Sequence, residues 1–459
     1  MATEPTQYSA LSTQYSKRLA EFVAGARLED VPAATRHEAK RAILDNLGVA
    51  LGAADDPGVA IARRVALELG GSPQATLWAD GRRTSVTHAA LVNGIMSHIL
   101  DYDDTHLPTI LHPSGPLVNA AVPLAEWLGS SGRDLLAAYV LGFEVEARVS
   151  LSVYPEHYDV GWHITGTAGT LGAAAAAARL LGLSAEQTVY ALGAAVTQAS
   201  GLREMFGSMC KSLHVGDAAR NGILAALLAR EGFTSSPEPI EGRRGFGAVL
   251  STAFKADELT ADLGQRWELH RNGLKPYACG VVTHPAIDAA RRLRAMGYLP
   301  GAVARIDAYV HPLVLELCGK TEPRVGLEGK FSIYHCIAMG FLENAAGPAQ
   351  FTDELVNRPD AVELRRKVRA TADPSLAEAQ ARLVLRLPEG REVEVFVPAA
   401  SGTLENPMSD DDLTRKFRAL AEPIVGAGAA GEIASIVWAL EEAPDVRRLV
   451  ELLARRAGQ

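Results

Sequence analysis

Gly166-Thr167-Ala168-Gly169-Thr170-Leu171-Gly172, continued by six alanines to Ala178, is the densest run of small residues in a chain of 459. Its glycines fall three apart, and small side chains let neighbouring backbones approach closely, so the run predicts a central buried helix. A phosphate-binding loop would need a strand in front of it, and none is visible. Arg179 interrupts the stretch, which is too short to span a bilayer. Around this centre the pattern is helix after helix, near 13–26, 34–53, 59–69, 85–101, 114–129, 133–152, 165–182, 185–200 and 214–231. Pro32 precedes the second run, and Ser184 with Gln187 forms a capping box for the eighth. Nothing in this half alternates with period two.

The texture changes after residue 268. Val303–Val310, Arg369–Thr371, Leu383–Leu387 and Val393–Val397 read as strands, the last two joined by Pro388-Glu389-Gly390 as a hairpin turn. Helical runs near 284–297, 329–345 and 360–367 interleave with them. After Ser409 the chain returns to helix, with Asp410–Asp412 as first-turn charge and further helices near 430–440 and 444–456. The fold class expected is therefore mainly α. A large all-helical domain is formed by both chain ends, 1–267 and 405–459, with an α+β domain inserted at 268–404.

Composition narrows the function. Hydrophobic residues make up 48% and charged residues 22%, the balance of a folded soluble protein. Fifty-four acidic against 45 basic residues give a net charge of -9, which argues against nucleic acid or an anionic membrane as partner. The N-terminal stretch MATEPTQYSALSTQYS has neither the basic start nor the apolar run of a signal peptide. Cys210, Cys279, Cys318 and Cys336 show no paired spacing and read as reduced thiols of a cytoplasmic protein.

The chemistry concentrates in Asp101-Tyr102-Asp103-Asp104-Thr105-His106, followed by His112-Pro113-Ser114-Gly115. Burying so many polar groups costs several kcal/mol unless each is partnered. Asn93, Ser97 and Asp101 recur at helical spacing, which predicts a polar stripe running into the cluster at a helix C-terminus. The dipole there would raise the carboxyl's pKa. Asp101, Asp103, Asp104, His106 and His112 are all types that ligate metals, but no HxxxH or HExxH accompanies them, so no metal is assigned. DxDDT also occurs in class II terpene cyclases, whose carbocations need an aromatic lining that a 6% aromatic chain supplies poorly. Two semi-buried lysines stand out: Lys211 within Met209–Gly216, where a salt bridge to Asp217 is the plain alternative, and Lys275 on a Pro-stiffened segment at the break in texture. His163 sits at the entrance to the small-residue helix, either as a cap residue or beside an anion. Within Phe331–Cys336 the rings read as core packing with satisfied tips.

Taken together, NGIMSHILDYDDTH with HPSG, GWHITGT, KSLHVG, KPYACGVVTHPAIDA, GKFSIYHC and NPMSDDDL resemble the MmgE/PrpD family over nearly the whole chain. That family includes 2-methylcitrate dehydratases, cis-aconitate decarboxylases and an iminodisuccinate epimerase. The resemblance implies that the inserted domain is a lid, that the protein is a homodimer, and that a small polycarboxylate is bound between the domains without metal or organic cofactor. It carries over Asp101, Thr105, His112, His163, Lys211 and Lys275 as site residues. Two positions depart from the decarboxylase pattern: Gly280 stands where that branch has a histidine, and His335, with Tyr334 beside it, takes a tyrosine position.

The expectation is a cofactor-independent lyase working through a carbanion α to a carboxylate, 2-methylcitrate dehydratase-like first. The alternative is a cis-aconitate decarboxylase-like enzyme or an epimerase on a related acid. Lys211 and Lys275 would clamp carboxylates, and Thr105 and His335 would contact substrate. Asp101 and His112 would move protons, assisted by His163, with Asp104, His214 and Tyr334 behind them.

Overall fold

The computed structural model describes residues 14–456. The stretch read as lacking a signal peptide lies outside them up to Thr13, as does the first residue of the first helical run. Among the described residues ten helices carry the first half: α1 Tyr15–Gly25, α2 Ala33–Gly52, α3 Pro57–Leu69, α4 Val86–His98, α5 Ser114–Leu128, α6 Gly132–Val153, the short α7 Glu156–Val160, α8 Ile164–Leu180, α9 Ala185–Val196 and α10 Cys210–Arg230. Three two-residue strands interrupt them, β1 Ala75–Thr76, β2 Arg83–Thr84 and β3 Thr105–His106, too short to leave an alternating pattern.

Helix α8 is the hub. Every residue from Ile164 to Ala178 is buried, and α5, α6, α9 and α10 pack round it. The small residues are what permit this. A methyl on Gly172 would lie 2.4 Å from the Glu146 carboxylate of α6, and one on Gly222 of α10 would lie 2.4 Å from Ala173. Ser184 and Gln187 form the expected capping box on α9.

The second half contains the short helix α11 Phe246–Leu250, β4 Asn272–Gly273, α12 His284–Ala295, β5 Arg305–Val310, α13 Pro312–Cys318, α14 Gly326–Gly329, α15 Ile333–Leu342, α16 Asp353–Asn357 and α17 Pro359–Lys367. β6 Val368–Ala372, β7 Ala381–Arg386 and β8 Glu392–Val397 follow, then α18 Asp410–Val425, α19 Ala427–Trp438 and α20 Arg447–Leu453. The sheet runs in the order β6-β5-β7-β8, with β5 and β6 parallel and the other pairs antiparallel. Its β7–β8 hairpin turns at Gly390, whose φ of 82° lies in the left-handed region that glycine tolerates. Helices α12 and α15 bury their apolar faces on this sheet in one core. A separate core joins side chains of α2 with those of α18, α19 and α20. At 59% helix and 8% strand the protein is mainly α. Among the described residues no helix is long and apolar enough to cross a membrane.

Two local expectations are corrected. Helix α4 ends at His98, so the polar stripe stops at Ser97 and Asp101 lies on the turn beyond it, with φ at 50°. Aspartate enters this region more readily than most residues. Helix α10 begins four residues before the expected start, which puts Lys211 in its first turn.

Candidate functional site

The turn after α4, the start of α10 and the segment after β4 converge on one carboxylate. Asp101 Oδ1 accepts from Lys211 Nζ at 3.0 Å and from Lys275 Nζ at 2.8 Å, and Lys275 also donates to the Asp101 carbonyl at 3.1 Å. Asp101 is 4% exposed and Lys275 1%, so the triplet is cut off from bulk water. Burial works to raise the Asp101 pKa, but the two ammonium groups outweigh it and hold the carboxyl well below the usual range. This reverses the expectation drawn from the helix dipole: lysines far along the chain override a local field. Lys211 does not pair with Asp217, which binds Arg220 instead.

The lysines differ. Lys275 spends two donors on Asp101, and its pKa is raised by the nearby carboxylates although burial opposes. Lys211 spends one donor on Asp101 and lies over the rings of Phe206 and Phe331, at 5.3 and 5.5 Å. Burial brings it below the ordinary lysine value. It is the more acidic of the two.

His112 stands beside this triplet with Nε2 4.0 Å from Asp101 Oδ1. Its Nδ1 lies 2.9 Å from the Asp104 carbonyl oxygen, which can only accept, so Nδ1 carries the proton and Nε2 keeps a lone pair. Burial and the neighbouring lysines hold the ring neutral, well below the usual imidazole range. Thr105 Oγ1 is 3.4 Å from the same Nδ1, and Thr165 Oγ1 accepts from the His112 amide at 3.0 Å. His163, at the N-terminus of α8, shares a 2.9 Å Nδ1–Nδ1 hydrogen bond with His214 of α10. Burial lowers both, His214 to about 4.

Asp101, His112, His163, Lys211 and Lys275 line a single cavity whose other wall is Ile110, Phe206, Val281, Leu317, Cys318 and Phe331. Its open volume is about 30 Å³, room for a water or two. A larger hollow of about 740 Å³ opens between the end of α9 and the 233–245 loop, but it gathers none of these buried groups. Chemistry rather than size selects the site.

The remaining expected residues lie outside this lining. Asp104 sits behind His112, accepting from the Ser114 amide and hydroxyl and from Asn272 Nδ2 at 2.7 Å, and burial pushes it up to about 7. His335, expected to contact substrate, is not among the residues of this lining. Ser332 caps α15 at the His335 amide, and the ring turns towards the Gln350 carbonyl at 3.0 Å and packs edge-on to Phe351. Tyr334 is half-buried against the core of the sheet. Sequence reading passed over His98, which lines up behind His112 and donates from Nδ1 to the ionised Asp103 at 2.8 Å. His98, Asp103 and His112 are the types that bind a cation; their hydrogen bonds occupy both Nδ1 atoms and Asp103 Oδ2 and leave His98 Nε2 and Asp103 Oδ1 without a partner.

Comparison with known proteins gives this site a setting. The profile of the MmgE/PrpD N-terminal domain matches residues 17–259, and that of the C-terminal domain matches residues 277–442. The chain belongs to the MmgE/PrpD family. Similar proteins include cis-aconitate decarboxylase of Homo sapiens, 30% identical over 90% of this chain and 89% of the relative. The Mus musculus enzyme of that name is 28% identical over 95% and 93%. That of Aspergillus terreus is 25% identical over 98% of both chains. In this MmgE/PrpD chain the cavity draws on both matched regions: Asp101, His112, His163 and Lys211 from the first, Gly280, Cys318 and Phe331 from the second, with Lys275 just between them.

Proposed function

We propose that this protein is a carboxy-lyase of the cis-aconitate decarboxylase type, acting on an unsaturated di- or tricarboxylic acid. The carrying observation is the shared anion site: two buried ammonium groups on one carboxylate, with the lone pair of a neutral imidazole facing the same cavity. The named relatives favour this over a 2-methylcitrate dehydratase, reversing the order drawn from the sequence.

Substrate carboxylates bind Lys211 and Lys275 through charge-assisted hydrogen bonds worth about 1.5–3 kcal/mol each. In decarboxylation the bond to the departing carboxylate breaks and carbon dioxide leaves. The electron pair stays in the system conjugated with a retained carboxylate, where the ammonium groups stabilise it. A proton then reaches carbon from Lys211, the more acidic lysine, which recovers one from water. His112 Nε2 takes the proton of the departing carboxyl where the substrate binds as the acid, since only the ionised carboxylate releases carbon dioxide, and Asp101 keeps both lysines charged. Because the cavity as it stands has room for only a water or two, entry of a six-carbon acid requires the wall of Val281, Leu317, Cys318 and Phe331 to draw back. In this reading the α+β segment acts as the lid.

The test is a panel of polycarboxylic acids, cis-aconitate and 2-methylcitrate among them, followed in D₂O by proton NMR and carbon dioxide release. Stoichiometric carbon dioxide with one deuterium gained at carbon is expected. Loss of water without carbon dioxide would make the protein a hydro-lyase, and solvent exchange alone would make it an epimerase; either result rejects the decarboxylase reading.

A further inference from the structure

Two more lysines are buried beside the site without lining it. Lys330, 3% exposed, precedes α15, and its Nζ donates to the carbonyls of Leu100 at 2.5 Å and Ala278 at 2.9 Å. Lys416, 8% exposed, projects from α18 and donates to the carbonyls of Tyr102 at 2.8 Å and Lys275 at 2.9 Å. The pattern repeats. Each ammonium takes one carbonyl from the turn that carries Asp101 and one from the segment that carries Lys275. Leu100 and Tyr102 flank Asp101 on either side, so the two lysines grip that turn before and after the carboxylate.

We propose that Lys330 and Lys416 are positioning residues, a pair of clamps that hold the Asp101 turn against the Lys275 segment and so set the contact between those two side chains. The backbone needs such restraint. Asp101 holds φ at 50°, a strained conformation that persists only where its surroundings over-determine it. Tyr102 ties the same two segments with a hydroxyl bond to the Pro276 carbonyl at 3.0 Å, and its ring lies 3.8 Å beneath Lys416 Nζ.

The clamps are not equivalent. Lys416 has its own counter-ion, Asp45, at 2.7 Å. Among the described residues Lys330 pairs with no carboxylate, and it faces the ring of Phe351 at 5.0 Å. Burial brings it down to about 8, with Asp101 and Cys279 opposing the shift and Lys275 and Lys211 adding to it. Lys330 is therefore the clamp to remove first, since removal of Lys416 alone strands Asp45.

The kinetic arm of the test rests on the proposed reaction; the exchange arm does not. Full-length Lys330→Met, Lys330→Arg and the double variant Asp45→Asn with Lys416→Met are compared with wild type by turnover and by hydrogen–deuterium exchange. Lys330→Met is expected to lose on the order of 10²-fold in kcat, the cost of an ångström-scale misplacement, with KM changed far less. Lys330→Arg, which still reaches both carbonyls, recovers most of it. Exchange should quicken together in peptides covering 99–104 and 274–279 while α8 keeps its protection, and the double variant should do the same. Wild-type exchange in both segments, a rise shared equally by α8, or unchanged kcat would overturn the clamp. If wild type turns over none of the acids, the decarboxylase reading falls and the exchange pattern alone decides.

Discussion

Replacing His112 with alanine is expected to lower turnover by about 10²–10⁴-fold, the usual worth of a positioned proton acceptor, while the protein folds normally. The tautomer is what makes the expectation sharp. The Asp104 carbonyl fixes the proton on Nδ1, so the lone pair can only be on Nε2, the nitrogen nearer Asp101 in the cavity. His112→Asn separates the two jobs, because its amide can still donate to that carbonyl but offers no base. Both variants should be equally slow, and the asparagine variant should be the more stable. The pH dependence has a definite sign. Burial and two lysines depress the His112 pKa well below the ordinary imidazole value, so the ring stays unprotonated as pH falls through 6.5. The kcat/KM profile, which reports the free enzyme, should stay level there and drop only at lower pH. A folded His112→Ala protein with wild-type turnover would remove the imidazole from the mechanism.

What could be read from the sequence follows the range of the forces involved. Helices packed by local periodicity were legible, as were the hub helix from its spaced glycines and the β7–β8 hairpin from Pro388-Glu389-Gly390. So was the cap at Ser184, written within four residues. Helix α13 was missed because its seven residues span barely two turns and offer no period to count. The polar half of the site was legible as clustered charge that a core tolerates only with partners. Its apolar half was not, since Ile110, Val281, Leu317 and Phe331 come from separate segments and each reads as plain core. The placing of His335 was not legible either: the ring turns to the Gln350 carbonyl, which the sequence near its motif does not announce. The sign of the Asp101 shift was hidden for the same reason, because the dominant charges lie 110 and 174 residues away.

Asp101→Asn tests that long-range electrostatic centre most directly, and it should damage stability as well as activity. The amide fits the same space but leaves Lys211 and Lys275 buried without the charge that now compensates them. Removing one partner of a buried ionic group costs about 3–5 kcal/mol, because the other charge is stranded. Denaturant midpoints should register a loss of that order. The stranded lysines would also shed protons more readily, Lys211 first, since burial already lowers it. A polycarboxylate should then reverse part of the damage by placing its own carboxylate between the ammonium groups, so ligand should raise the melting temperature of the variant by more than that of wild type. The two readouts constrain each other. An Asp101→Asn protein as stable as wild type would mean the lysines are relieved by water or by other groups, and the triplet would not be the electrostatic centre of the site. An unstable variant that ligand fails to rescue would keep the triplet as a structural feature and remove it from substrate binding.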